Sequence, residues 1–272
     1  MKLFRKLFAE KILRFMEGTN AAVIFVKKLP FIGSHIKEET FSKEKSKPRM
    51  ALGIIAQILV VIWEFLKKLI YAVIFLYIPY VVISHFCPLV ALHQERTIIY
   101  MFVMLSVISG SLANNTLLAM GDRDYLMIRV MLISPYMNFL GKFIYKIATE
   151  FIFYIIILCI LKVSFVHSLL LCVVLVCSRA IGEMFAIISF DHMRSIYENR
   201  NVYNGIIMAV CVLLAYGMPL LTGRVDADWM NIVHPAMAVL FVIAGAGAMY
   251  FLWWYKHYRV IIREAMHMKR ED

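Results

Sequence analysis

Arg179 and Glu183, in the segment CSRAIGEMF, lie inside an apolar run and are four residues apart. In a helix that spacing puts both on one face. The apolar run before it carries Lys142, Lys146 and Glu150 at the same interval. A charge placed in the middle of a bilayer is costly, so such residues pair with one another or face a polar cavity. Two helices running in opposite directions, each rising about 1.5 Å per residue, bring Lys146 and Glu150 to depths comparable with Glu183 and Arg179. Pairing Lys146 with Glu183 and Glu150 with Arg179 neutralises all four. Two roles fit such a network: a clasp between helices, or the polar lining of a transport path.

Other chemistry is missing from the sequence. It has no GxxxxGK[ST] loop to cradle phosphates, no HExxH and no GxSxG, and its eight histidines are scattered among loops and ends. A metalloprotease or serine hydrolase is not expected, nor a cofactor or metal of the chain's own. Cys159, Cys172, Cys177 and Cys211 fall inside apolar runs and no CxxC occurs, so neither a disulfide framework nor a zinc site is expected.

The elements that must position these residues are membrane spans. Of 272 residues, 62% are hydrophobic and 17% charged, with a mean hydropathy of +0.77, well outside the range of a soluble domain. Apolar runs of spanning length cover 69–89, 97–118, 137–161, 166–190, 203–222 and 232–254. Residues 51–66 are apolar over too short a stretch before Glu64, Lys67 and Lys68, and are expected to form an elbow helix in the interface; a seventh span is the alternative. With the N-terminus inside, 25 of the 29 Lys and Arg residues flank the spans on the cytoplasmic side and three on the outer side. Both termini are therefore expected on the cytoplasmic side of the membrane. Positive-inside flanks attracted to anionic membrane lipid also account for the net charge of +11, with no need for nucleic acid.

The N-terminal segment MKLFRKLFAEKILRF has charges every few residues and no apolar core of signal-peptide length. Residues 1–17 instead place Leu3, Phe4, Leu7, Phe8, Ile12, Phe15 and Met16 on one helical face, with Lys and Arg elsewhere, as a basic amphipathic helix does. Anchoring or partner docking would suit it. A charged connection broken by Pro30, Gly33 and Pro48 follows, so residues 1–50 divide from a membrane domain over 51–272. Close helix approach is expected at Ser106, Gly110 and Asn114, at Ser109 with Ala113, and along Ala244 to Ala248, within one subunit or between two.

Between the second and third spans stands GDRDYLMIRVMLISP, too oily for a solvated loop and too charged and short to cross a bilayer. Asp122 and Asp124 suit a helix start, and Ser134-Pro135 ends the helix. The short helix so predicted carries Tyr125, Leu126, Met127, Ile128, Met131 and Leu132, a composition suited to insertion into a groove on another protein; a merely interfacial helix is the alternative.

This order of elements, with DRDYLMIRVMLISPYMNFLGKFIYK after the second span, resembles the permease subunits of ABC-2 type bacterial ATP-binding-cassette exporters, in particular Ecs-like and peptide-exporting ones. The resemblance covers nearly the whole chain. It implies an all-α polytopic membrane protein of six transmembrane helices, with an N-terminal amphipathic and elbow helix and a cytoplasmic coupling helix between spans two and three. It implies that Asp122, Arg123, Asp124, Tyr125, Met127, Ile128, Arg129 and Met131 couple to two separate ATPase subunits, which hold the ATP and Mg. A second permease copy or a paralogue would complete the complex, and an amphipathic peptide or lipid-like substrate would leave the cell. The outer connection TGRVDADWMN is short where that family often has a helical hairpin. A stand-alone membrane protein, whether an immunity or sensor factor or an ion-coupled carrier, is the competing expectation.

Overall fold

The computed structural model describes residues 47–117, 124, 128, 134–222 and 235–271, with side-chain surroundings over 54–117, 124, 128, 134–221 and 238–264. The expected amphipathic helix over 1–17, the connection after it, and Asp122, Arg123, Tyr125, Met127, Arg129 and Met131 lie outside the described residues, as does most of the outer connection after Thr222.

Among the described residues the fold is all helical, with no strand. Five helices are long and apolar enough to cross a membrane, and a sixth qualifies if a bent pair counts as one span. The chain divides into two compact units, Met1–Lys68 and Leu69–Asp272. What is described of the first unit is helical: α1 runs Lys47–Ala72 without a break after residue 66, the expected end of the elbow. Within it the Lys67 ammonium lies 5.5 Å from the centre of the Trp63 ring.

The second unit begins in the last turn of α1 and continues through a π-helical segment, Val73–Tyr77, into α2, Ile78–Phe86. The widened turn has an identifiable cause. Pro79 has no N–H to give to the carbonyl of residue 75 and its ring crowds that carbonyl; the Tyr216 hydroxyl donates to the Phe75 carbonyl instead, at 3.0 Å. Cys87 is extended, as the residue before a proline prefers to be, and ends α2 before the short helix α3, Pro88–Leu92. The second span is α4 (Gln94–Phe102), a π-helical stretch (Val103–Ser109) and α5 (Gly110–Ala113).

The third span is α6, Pro135–Ile160. Pro135 occupies its first position and Ser134 caps it, the hydroxyl accepting from the Met137 N–H at 3.3 Å. It ends in a tight turn. Lys162 adopts a left-handed φ of 65°, and the Val163 N–H reaches back to the Leu158 carbonyl at 3.0 Å, which satisfies helix-end carbonyls in the absence of a glycine. The fourth span is α7 (Phe165–His192), followed by α8 (Arg194–Glu198), α9 (Arg200–Thr222), α10 (Pro235–Trp254) and α11 (Tyr258–Glu271).

The second and fourth spans are the interior of this unit: 67% and 61% of their most apolar windows are buried, against 17% for α9. α7 packs on α10, α6 and α5 because small residues line it on several sides. A methyl group on Gly182 would come within 2.0 Å of the Ser111 carbonyl oxygen, and one on Gly245 of α10 within 2.6 Å of the Cys177 Cβ. Only glycine permits approaches that close. Toward the ends of α6 and α10 nearest α11, Phe139 and Phe143 stack at 5.6 Å and join Ile187, Leu252, Tyr258, Ile261 and Ile262 in an apolar cluster.

Candidate functional site

The polar residues of α6 recur at every fourth position: Asn138, Lys142, Lys146, Glu150 and Tyr154. That interval keeps them on one face, and Asn138, Glu150 and Tyr154 are buried. From Pro135 to Glu150 the helix rises about 22 Å, and from His192 back to Arg179 about 20 Å, so the two charges meet deep in the bundle. There Glu150 and Arg179 form a two-point ion pair. Arg179 Nε donates to Glu150 Oε2 at 2.8 Å and Nη2 to Oε1 at 3.3 Å, with both side chains more than nine-tenths buried. Forked geometry of this kind is among the stronger ion pairs. The guanidinium lies directly over Gly110, where a methyl group would sit 2.9 Å from Nη1. That Nη1 is buried with no acceptor among the described residues. Beside the pair, Ser111 and Ser178 share a hydrogen bond of 2.9 Å, and Tyr71 and Ser106 one of 3.3 Å.

Lys146 and Glu183 meet by a different route from the direct pairing expected of them. The second span was expected to run to residue 118, but its helix stops at Ala113. Asn114 leaves helical geometry at φ −112°, ψ 66°, and residues 114–117 pass between the two charges. Lys146 Nζ donates to the Asn114 carbonyl at 2.6 Å and to Thr116 Oγ1 at 3.3 Å. Glu183 accepts from the Thr116 N–H and, at 3.0 Å, from the Leu117 N–H. The Ala113 carbonyl takes Asn204 Nδ2 at 3.2 Å. A helix end leaves carbonyls without donors and the chain beyond it leaves N–H groups without acceptors, and in a membrane such backbone must be satisfied by protein. A cation on the carbonyls and a carboxylate on the N–H groups do both, and the cation also suits the negative end of the helix dipole.

Asp124, expected at the start of the coupling helix, lies against α6. It is 1% exposed, accepts from Asn138 Nδ2 at 2.7 Å and pairs with Lys142 Nζ at 2.5 Å. It is thereby bonded to two residues of α6. The reason lies in α6, whose stripe already offers an amide and an ammonium at that level. Ile128, also expected to couple, is partly buried against the apolar cluster that holds Phe139 and Leu252.

Of the expected residues, Glu150 with Arg179 and Lys146 with Glu183 thus converge on two adjacent centres, and Asp124 joins a third with Asn138 and Lys142. Thr116, Asn138, Ser178 and Gly182 were not foreseen, and Asn114 was expected only as a close-packing position within the second span. Asn114-Asn115 is the one signal for the break, since asparagine is a turn former that leaves helices readily; Ser178 and Gly182 flank Arg179 at the spacing of small residues that admit a neighbouring backbone. The six charges carry three positive and three negative signs, and each has a protein partner, so the arrangement holds helices in register and can change only by exchanging partners. Compared with protein-family models, characterised proteins and solved structures, the chain matches none.

Proposed function

We propose that this chain is the permease subunit of an ABC-2 type exporter, an all-α bundle of six spans with both termini in the cytoplasm of a bacterial plasma membrane. In this reading, residues 51–66 form the elbow that leads into the first span. The apolar helix from Ile54 to Phe86 has 33 residues and is about 50 Å long, well beyond a hydrocarbon core of about 30 Å, so part of it must lie outside that core.

The observation that carries the proposal is the chain of contacts leading inward from the segment between spans two and three. Asp124 is bonded to Asn138 and Lys142 of α6, Lys146 of α6 holds the break at 114–117, and Glu150 of α6 is clasped to Arg179 of α7. A pull on residues 122–133 would reach both central helices through polar contacts that have other partners available nearby. Discrete re-pairing of this kind is how a small displacement at a docking site becomes a switch between two packings. Two ATPase subunits, closing on ATP and Mg, would supply the pull to this chain and a second permease. An amphipathic peptide or lipid-like molecule would be the cargo, and this chain itself would catalyse no reaction.

The test is recovery of a P-loop ATPase with the affinity-purified chain from its own membranes. Tyr125→Ala combined with Arg129→Glu is expected to leave insertion and thermal stability unchanged while the ATPase is lost. A rim charge tunes association, and a central aromatic anchor contributes about 2 kcal/mol or more, roughly thirtyfold in affinity. Full ATPase retention and normal transport in the double variant would overturn the coupling role; a chain that never recovers an ATPase would favour the stand-alone reading.

A further inference from the structure

We infer that the junction of α10 and α11 binds an anionic glycerophospholipid, with an acyl chain in an apolar cavity and the phosphate at the basic bend beside it. The inference does not depend on the exporter reading. The cavity measures about 320 Å³, and its lining includes Tyr136, Phe139, Leu140 and Phe143 of α6 and Tyr250 and Trp253 of α10. That volume falls at the small end of natural ligand sites, about 300–1,000 Å³. Tyr250 and Trp253 are 61% and 74% exposed, so the cavity opens to the surroundings of the bundle. On a membrane span those surroundings are acyl chains.

What selects the headgroup is the bend. After Trp254 the helix breaks, and α11 departs at 87° to α10. If α10 crosses the bilayer, α11 runs along its surface, with Tyr258, Ile261 and Ile262 buried toward the bundle and Arg259 and Arg263 outward. The Tyr258 ring lies 5.2 Å from that of Tyr136 and 5.5 Å from that of Phe139, both of which line the cavity, and the exposed Lys256, His257 and Arg259 stand within two residues of Tyr258 in the chain. Of the nearby carboxylates, Glu264 pairs with Arg194 and Asp191 accepts from the Tyr255 hydroxyl. Exposed Trp253 and Trp254 just before the bend mark the level at which indoles favour the headgroup boundary. Apolar slot, aromatic level and exposed cations thus follow one another in the order of chain, glycerol region and phosphate in a lipid.

The test uses the full chain with Trp63→Phe and Trp229→Phe, so that fluorescence comes from Trp253 and Trp254 alone. It is reconstituted in phosphatidylcholine vesicles in which the brominated-chain lipid is either phosphatidylglycerol or phosphatidylcholine. Brominated phosphatidylglycerol is expected to quench at the lower mole fraction, by roughly fivefold for each cation engaged. Lys256→Gln with Arg259→Gln should bring the two lipids level, and Leu140→Phe, which fills the cavity, should reduce quenching by both. Rising salt should erode the preference in the parent protein. Because the basic flanks as a whole also attract anionic lipid, a control with Lys67→Gln and Lys68→Gln, away from the bend in sequence, should keep the preference that Lys256→Gln with Arg259→Gln removes. Equal quenching by the two lipids in the parent, or a preference untouched by salt or by loss of both cations, would overturn the inference.

Discussion

Two arginine–glutamate clusters in this chain have nearly the same donor–acceptor distances and opposite surroundings. Arg179 meets Glu150 at 2.8 Å with side chains 6% and 8% exposed. Arg194 meets Glu198 at 3.0 Å and Glu264 at 3.2 Å with the arginine 73% exposed, at the surface where α8 and α11 adjoin. Distance alone would rank them together. The difference is what each partner does when the other is removed. A surface charge returns to water and salt, whereas a buried one has nowhere to go, and that asymmetry makes a buried pair costly to break without making it a large net source of stability. The carboxylates at Arg194 do hold its pKa above the ordinary arginine value, Glu198 first among them. On so open a side chain that is a sign of proximity only.

The comparison is best broken at its buried end. Glu150→Gln should be the most damaging of the charge changes, since losing one partner of a buried pair costs about 3–5 kcal/mol. Replacing Arg179 by Met as well should recover much of the loss. Thermal unfolding in detergent measures both, and a double variant as unstable as Glu150→Gln would mean that the pair is not an isolated unit. Next in size is Gly182→Ala. Its methyl group would press on the Ser111 backbone, and overpacking of this kind costs about 1–3 kcal/mol or more. Gly217→Ala, with nothing within 4 Å of the added carbon, should unfold with the parent protein; equal stability of the two variants would refute the close approach of α7 and α5. Glu183→Gln should cost less, about 1–3 kcal/mol, because an amide oxygen still accepts one of the two N–H groups at the break. Amide exchange at Thr116 and Leu117 should quicken in that variant, and unchanged protection there would show that the carboxylate does not hold the segment. The smallest effect belongs to Arg194→Ala, for which the unfolding curve should overlay that of the parent at physiological salt.

Much of this arrangement is legible in the sequence, and the remainder fails for specific reasons. The helices α6, α7, α9 and α10 lie close to their apolar runs, because a helix suited to lipid needs only length and hydropathy. Glu150 and Arg179 can be matched in depth because two antiparallel helices joined by a tight turn leave little freedom in register. The break after Ala113 is hidden because Leu117, Leu118 and Ala119 continue the apolar run past it; hydropathy counts side chains and cannot see which backbone groups a carboxylate 67 residues away will satisfy. The partners of Asp124 on α6, Asn138 and Lys142, are hidden because a local rule reads an aspartate near a helix start only against its own neighbours. The 87° bend after Trp254 is hidden for a related reason, since residues 255–272 count toward orientation by charge while the apolar face formed by Tyr258, Ile261 and Ile262 goes unweighed.

The break also sets a schedule for biosynthesis. Thr116 leaves the ribosome 67 residues before Glu183, the carboxylate that accepts its N–H. At about 5–20 residues per second the second span waits roughly 3–13 s for that acceptor. During the wait its open backbone cannot be left facing lipid, so the span must linger beside the insertion machinery or in water until the fourth span is made. Lateral release of the second span is thereby tied to synthesis of the fourth, and chains truncated before residue 183 should remain bound to the insertion channel and be degraded from there.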